Sequence, residues 1–334
     1  MRGRRYELST DEPIVFVTGA TGFIGRPTVA ALKQAGFKVS VLLRTSHKLP
    51  LIADHVDHVI EGDLNNIEAI QTGADEADCV LHLACSLHRP WDTDLNAANV
   101  AGARGVAQAC KDSALQPHLI MVSSLAARGP LRDDPTDQPV SAYGRAKLAA
   151  ENEVLSIYER SKVSIVRPPM VIGPKDPATR SVFQAIHRGL IPTSSSPNAR
   201  ISLIDVRDLA DGLAKLAVHG AIPNQALYFS FEDTLRFEEL AERIYRNRPR
   251  NFRTIRVPNS ILWVAAAGAE LSARLLNRDS AFNLDKYREM TNGPWTCVSS
   301  KVQVSLRWQP ANDLDTRLAQ VFDSYKFDGD HETD

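Results

Sequence analysis

The apolar run at residues 14–18 leads into Val17-Thr18-Gly19-Ala20-Thr21-Gly22-Phe23-Ile24-Gly25, in which three glycines are spaced three apart. Beyond it, Ile24, Thr28, Ala31, Leu32 and Ala35 keep helical spacing until Gly36 ends the pattern. A strand, a glycine turn and a helix in that order constrain the fold more than anything else in the chain. Glycine is needed where the backbone turns sharply and a pyrophosphate must approach with no Cβ in the way. The helix N-terminus beyond adds N–H donors and positive potential. A glycine triplet alone is a weak sign, because tight turns use glycine for steric reasons; the flanking strand and helix make a dinucleotide the expected occupant.

The first half of the chain repeats this alternation. Short Val-, Ile- and Leu-rich runs at residues 38–43, 56–60, 79–84, 118–122 and 163–166 read as strands, and residues 67–72, 96–113 and 142–160 as helices. Such strands, without polar alternation, suit a parallel sheet covered on both faces. The α/β order predicts a doubly wound parallel sheet with ligands at the carboxyl ends of the strands. From Gly173-Pro174 the pattern changes. Pro174, Pro177, Pro192 and Pro197 with Ser194-Ser195-Ser196 mark loops around a helix at 179–188. A strand at 201–204 and a helix from Asp208 return to the sheet, and helices follow at 237–246, 260–276 and 314–325. In the last, Leu314, Leu318, Val321, Phe322 and Tyr325 form one apolar face. With 334 residues the chain exceeds one compact core. The expected division is a dinucleotide-binding domain at 11–172 and a smaller, mostly helical substrate lobe at 173–334, with about 200–229 rejoining the first.

Tyr143 and Lys147 lie one helical turn apart, so the ammonium can sit beneath the phenol. A free tyrosine, with pKa about 10, is a poor base at neutral pH; an adjacent cation moves it toward the working range. Ser123 and Ser124 follow the strand at 118–122, where a hydroxyl can polarise a substrate oxygen. A turn-capping serine, a buried tyrosine and a solvated lysine are the structural alternatives. Together with the glycine loop, these residues resemble the extended short-chain dehydrogenase/reductase superfamily, whose fingerprints are TGxxGxxG, a Ser or Thr after the fifth strand, and YxxxK. The likeness runs over most of the chain. It implies a Rossmann fold and a catalytic set of Ser124 (Ser123 being the near alternative), Tyr143 and Lys147. Asn99, in Asn99-Val100-Ala101-Gly102, resembles the NVxG asparagine of the family, which completes a hydrogen-bond chain; a structural role is equally open.

The same resemblance implies a nicotinamide dinucleotide lined by Gly19, Thr21, Gly22, Phe23, Ile24, Gly25, Ala84, Tyr143 and Lys147. Pro168, in Arg167-Pro168-Pro169-Met170-Val171-Ile172-Gly173-Pro174, joins them as part of the RPxxVxGP segment beside the nicotinamide. Leu203-Ile204-Asp205-Val206-Arg207-Asp208-Leu209-Ala210 resembles a second family landmark. Cofactor choice turns on the end of the second strand, where NAD enzymes place a carboxylate and NADP enzymes an arginine. Here stand Arg44 and, four residues on, Lys48, with no carboxylate between them, so NADP(H) is expected ahead of NAD(H). Asp63-Leu64 matches the adenine-contacting pair, although an Asx turn explains Asp63 equally well.

Composition narrows the partners. A net charge of -1 with no basic block argues against nucleic acid and for a small-molecule substrate. Cys79, Cys85, Cys110 and Cys297 form no metal-ligand spacing, so free thiols and no metal are expected. The basic residues Arg2, Arg4 and Arg5 precede no apolar h-region, which excludes a secretory signal and leaves a cytoplasmic protein as the expectation. Residues 261–269 are too short to span a bilayer, for which ~20 mostly apolar residues are needed. They read as a buried helix or pocket lid, with contact at a membrane surface through 261–276 left open. A homodimer through the helices at 96–113 and 142–160 is expected by analogy alone.

Three functions compete. The absence of an acidic residue in Leu125-Ala126-Ala127 argues against dehydration. Arg44, the loop Ser86-Leu87-His88-Arg89-Pro90-Trp91, the segment from Met170 and the apolar stretch around Trp263 favour an oxidoreductase with a partly hydrophobic substrate, like the hydroxysteroid dehydrogenase and dihydroflavonol reductase branches. Arg200 lies near where sugar-nucleotide epimerases keep an arginine for the diphosphate. A non-catalytic NADP(H)-binding subunit is the third reading, against which Tyr143 and Lys147 both stand.

Overall fold

A computed structural model describes residues 12–85, 93–133, 136–174, 176, 179–194, 199–246, 252–276, 280 and 282–325. The basic N-terminus, the loop 86–91, Pro177, Ser195, Ser196, Pro197 and the tail after 327 lie outside them. The chain runs β1 (Ile14–Thr18), α1 (Gly25–Gln34), β2 (Lys38–Leu43), β3 (His58–Glu61), α2 (Ile67–Asp75), β4 (Cys79–His82), α3 (Thr93–Asp112), β5 (His118–Val122), α4 (Leu125–Arg128), α5 (Ala142–Ile157) and β6 (Val163–Val166). Then come β7 (Met170–Ile172), α6 (Arg180–His187), β8 (Leu190–Ser194), β9 (Ile201–Asp205), α7 (Val206–His219), β10 (Ala226–Leu227), β11 (Thr234–Leu235), α8 (Phe237–Tyr245), β12 (Arg253–Val257), α9 (Asn259–Leu275), α10 (Leu284–Thr291), α11 (Ser300–Leu306) and α12 (Leu314–Ser324).

Seven strands form the main sheet in the order β10-β6-β5-β4-β1-β2-β3, and every neighbouring pair is parallel. Strand residues alternate strictly between two cores. Val15, Val17, Val39, Val41, Leu81 and Ile120 face α1 and α7, where Val29, Leu32, Leu209 and Leu213 meet them. Phe16, Leu42, Val80, Leu119 and Met121 face α2, α3 and α5. This is the Rossmann-like doubly wound sheet expected from the βαβ order. The order reverses between β1 and β4, so the crevice for a ligand opens where those two strands end.

The differences are local. β3 starts two residues later than the apolar run, and His58 and Val59 are exposed, because β3 is the sheet edge. β4 stops at His82, where the chain leaves the sheet to cross above β1. α7 starts at Val206 rather than Asp208, since Asp205 caps it by accepting from the Arg207 N–H at 2.8 Å. Asp208 is instead buried against the Arg317 guanidinium of α12 (2.8 and 2.9 Å). The C-terminal half also carries β7, β8, β11, β12, α10 and α11, short elements whose sequences lack a clear period. Its core joins Phe183, Leu240, Ile244, Leu318, Val321 and Phe322. The predicted apolar face of α12 is buried in full.

Candidate active site

The loop after β1 is set by contacts that leave no room for side chains. Gly19 sits at φ +79, and a Cβ on it would lie 2.6 Å from the Ala84 nitrogen; one on Gly25 would lie 2.2 Å from the Gly19 carbonyl oxygen. The Gly22 N–H closes the turn on that same oxygen at 3.0 Å. The β1 and β4 loops therefore touch, which brings Ala84 to the glycines. α1 begins at once, with Ile24 at its N-cap, no side-chain cap and no acidic residue in its first turn. An uncapped N-terminus behind a backbone-only loop fits the pyrophosphate of a dinucleotide. Thr21, Phe23 and Ile24 are half-buried, and Phe23 lies over Gly173 at the start of the C-terminal half.

Arg44 and Lys48 are exposed at and beyond the end of β2. Asp63 makes the Asx turn, accepting from the Asn65 N–H at 2.8 Å, and Leu64 packs over Gly102 of α3. Pro168 follows β6, and its carbonyl holds the Leu125 N–H at 2.8 Å, tying the RPxxVxGP segment to the Ser124 turn.

Four of the predicted side chains meet beside that crevice. Ser124 caps α4, accepting from the Ala126 N–H at 3.1 Å, and its hydroxyl hydrogen-bonds Tyr143. The Lys147 ammonium donates to the Val122 carbonyl at 3.2 Å, stands 6.0 Å from the centre of the Tyr143 ring and hydrogen-bonds Cys85. A small cavity is lined by Tyr143, Lys147, Asn99, Cys85 and His82. Ser123 points elsewhere, donating to Glu151 beneath the helix, so the two serines are separated by direction.

The electrostatics differ from the simple expectation. Burial pushes the Tyr143 phenol up to about 12; Lys147 pulls it down and Ser124 helps, but burial prevails. The phenol is therefore a proton donor at neutral pH. Burial also works against the Lys147 charge, yet Cys85, Tyr143 and Glu151 outweigh it and hold the ammonium above its ordinary range. His82, whose Nδ1 lies 2.7 Å from Thr18 Oγ1, is driven down to about 3 by burial and by Lys147, and stays neutral.

Two supports were not anticipated. Arg167, from the RPxxVxGP segment, is buried and holds Glu151 (2.6 and 2.9 Å) and Asp137 (2.7 and 2.8 Å). Because Glu151 follows Lys147 by one turn and also takes the Ser123 hydroxyl, this cluster fixes α5 against the end of β5. The second support is Asp285 of α10, whose carboxylate accepts from the Ala142 and Tyr143 N–H groups at 2.7 and 3.2 Å. With Ser141, which accepts from the Gly144 N–H at 3.0 Å, it caps the helix that carries the tyrosine. The spacing of Glu151 from Tyr143, two turns on the same face, was a sequence signal for the first; nothing local marks Asp285.

Arg200, half-buried, hydrogen-bonds Thr234 through its hydroxyl at 3.0 Å and its carbonyl, and meets Glu239 at 3.5 Å. One expectation fails: the stretch around Trp263 is not a buried helix, because Ile261, Trp263 and Val264 are exposed and α9 buries only Ala266, Glu270 and Ala273. None of the four cysteines is in a disulfide.

Comparison with known proteins agrees with the geometry. Residues 15–226 match the NAD dependent epimerase/dehydratase family. The chain is 32% identical over 297 residues to a ceramide reductase of Caulobacter vibrioides, covering 88% of this chain and 89% of that one. It is 27% identical to a 2-alkyl-3-oxoalkanoate reductase of Shewanella oneidensis, covering 79% and 73%. In fold it resembles the crystal structure of the Bordetella bronchiseptica enzyme WbmG in complex with NAD and UDP, with TM-score 0.70, 17% identity and coverage of 93% and 94%. The chain therefore belongs to the NAD dependent epimerase/dehydratase family of extended short-chain dehydrogenases/reductases and is an NAD(P)-binding oxidoreductase.

Proposed function

We propose that the protein is an NADP(H)-dependent reductase of a carbonyl group on a small, partly hydrophobic substrate. The observation that carries this reading is the convergence of Ser124, Tyr143 and Lys147 at the end of β5. Held by the glycine loop after β1 and beside Tyr143 and Lys147, a nicotinamide dinucleotide would supply the hydride. Tyr143 Oη gives its proton to the carbonyl oxygen, which becomes the hydroxyl of the product alcohol, and the Ser124 hydroxyl steadies that oxygen. Lys147 lowers the cost of the phenolate that remains, and Asn99 lies in the same cavity to extend the hydrogen-bond chain. The reverse reaction uses the same groups.

Arg44 supports NADP(H), since its exposed guanidinium stands at the end of β2 with no carboxylate between it and Lys48. The names of the reductase relatives, acting on a ceramide and on a 2-alkyl-3-oxoalkanoate, support a substrate with aliphatic surface. The sugar-nucleotide epimerase is the alternative reading, for which Arg200, half-buried and hydrogen-bonded to Thr234, would be the diphosphate contact. Within this reading residues 11–172 bind the dinucleotide, 173–334 bind substrate with about 200–229 rejoining the first lobe, and two chains pair through α3 and α5.

Titration with NADPH and NADH, followed by nicotinamide fluorescence, tests it. Exchangeable NADPH is expected to bind more tightly. Arg44→Asp is expected to weaken NADPH by roughly 10- to 100-fold, the worth of a charge-assisted phosphate contact. NAD that survives gel filtration without exchanging would transfer the argument to the epimerase.

A further inference from the structure

A helix at a protein surface ordinarily turns polar residues outward. α9 does the reverse. Its buried side is Ala266, Glu270 and Ala273, and Glu270 is spent on Arg274 and on the Leu284 N–H at 3.1 Å of α10. The opposite side carries Ile261, Val264, Gly268, Leu271 and Leu275 at i, i+3, i+7, i+10 and i+14, with 58, 63, 59 and 78% exposure for the four large side chains in order. Among the described residues fifteen large apolar side chains are exposed, and six of them fall in 261–276.

Along residues 252–276 the exposed charges have one sign. Arg253 and Arg256 are exposed on β12, which reaches α9 directly through Pro258, and Arg274 stands in its last turn. The only carboxylate in residues 252–276 is the buried Glu270. Trp263, half exposed at the edge of the helix, suits a water–hydrocarbon boundary. We propose that α9 is an interfacial helix, which lies on an anionic lipid surface with Ile261, Val264, Leu271 and Leu275 in the acyl boundary and the arginines among the headgroups.

A second copy of the chain is the poorer occupant. At 1.5 Å per residue α9 is about 25 Å long and about 10 Å wide, a footprint of roughly 250 Å², against about 800 Å² per partner in a stable interface. Spanning is excluded for the described residues, in which no helix is long and apolar enough to cross a membrane. The position of α9 also fits a lipid-facing role: it packs on α10, whose Asp285 caps the helix bearing Tyr143. A lipid surface beneath α9 would thus lie one helix away from the cavity. The inference does not depend on the reductase reading, because it concerns a surface and not the reaction.

The test is flotation of the full-length protein with vesicles of phosphatidylcholine alone and of phosphatidylcholine with phosphatidylglycerol, at low and high salt. Binding is expected to the anionic vesicles, to fall at high salt, and to drop by roughly fivefold for each of Arg253→Gln and Arg256→Gln. Val264→Glu with Leu271→Glu should abolish it while NADPH titration stays at the wild-type value; Leu275→Ser is the milder second variant, with partial loss. Failure of the wild-type protein to float with anionic vesicles overturns the proposal, as does equal flotation of the glutamate variant. So does sedimentation equilibrium without lipid in which the glutamate variant alone turns a dimer into a monomer, since a second copy would then cover the helix.

Discussion

Glu151→Ala probes whether the buried charge cluster positions the catalytic helix. Arg167 is 6% exposed and Glu151 3%, whereas Asp137, the other acceptor of the guanidinium, has a side chain 31% exposed. Removing the Glu151 carboxylate leaves a buried cation with one wet partner. Breaking a buried pair from one side costs about 3–5 kcal/mol. Ser123 loses its acceptor as well, which adds about 1 kcal/mol. Asp137 keeps its two bonds to the guanidinium and moderates the loss, so about 3 kcal/mol is expected in urea unfolding followed by circular dichroism. Glu151→Gln keeps the shape and part of the hydrogen bonding and should cost less than half as much. Turnover should fall in the alanine variant even where the protein is fully folded, because Lys147 and Tyr143 lie one and two turns before Glu151. A loss below about 1 kcal/mol in Glu151→Ala, or an alanine variant with wild-type turnover, would refute the reasoning.

Tyr143→Phe removes the proton donor and leaves the ring. Turnover should fall by about 10²- to 10⁴-fold with NADPH affinity unchanged; undiminished turnover removes Tyr143 from the reaction. His118 is buried, lies 3.0 Å from Ser164 Oγ, and is driven down to about 3 mainly by burial. Its folded pKa is below the unfolded value, so stability is whole above about pH 6.5 and declines as pH falls toward 3, because the unfolded chain takes up a proton that the folded chain refuses. The slope is at most about 1.4 kcal/mol per pH unit for one histidine. His118→Asn should flatten the urea midpoint against pH by up to that amount between pH 6 and 4, and an unchanged slope would sink the assignment.

What the sequence disclosed is what short chain segments decide among themselves. The β1–α1 turn was legible because steric exclusion at Gly19 and Gly25 involves backbone only a few residues away, Ala84 apart. The meeting of Tyr143 with Lys147 was legible from helical period. The choice of Ser124 over Ser123 came from the family resemblance and not from local spacing, since what separates them is Glu151 of another element drawing Ser123 away. The expectation that 261–269 is buried failed for a related reason. Hydropathy reports that a face is apolar and is silent on what covers it, and burial of α9 is decided by α10, whose own sequence shows no strong period.

Asp285 shows why the second half of the chain had to be seen in three dimensions. It lies 142 residues from Tyr143, yet its carboxylate holds the N–H groups of Ala142 and Tyr143. A carboxylate at a helix N-terminus is favourable wherever the helix comes from, so sequence offers no address for it. It also makes the two halves mutually dependent: α10 can leave the first turn of α5 only by exposing a charge and two N–H donors, while Arg288 pairs with the same carboxylate at 3.0 Å and sets its orientation. α10 is therefore fastened to the helix that carries Tyr143, and a displacement of α10 reaches the Tyr143 backbone through one side chain.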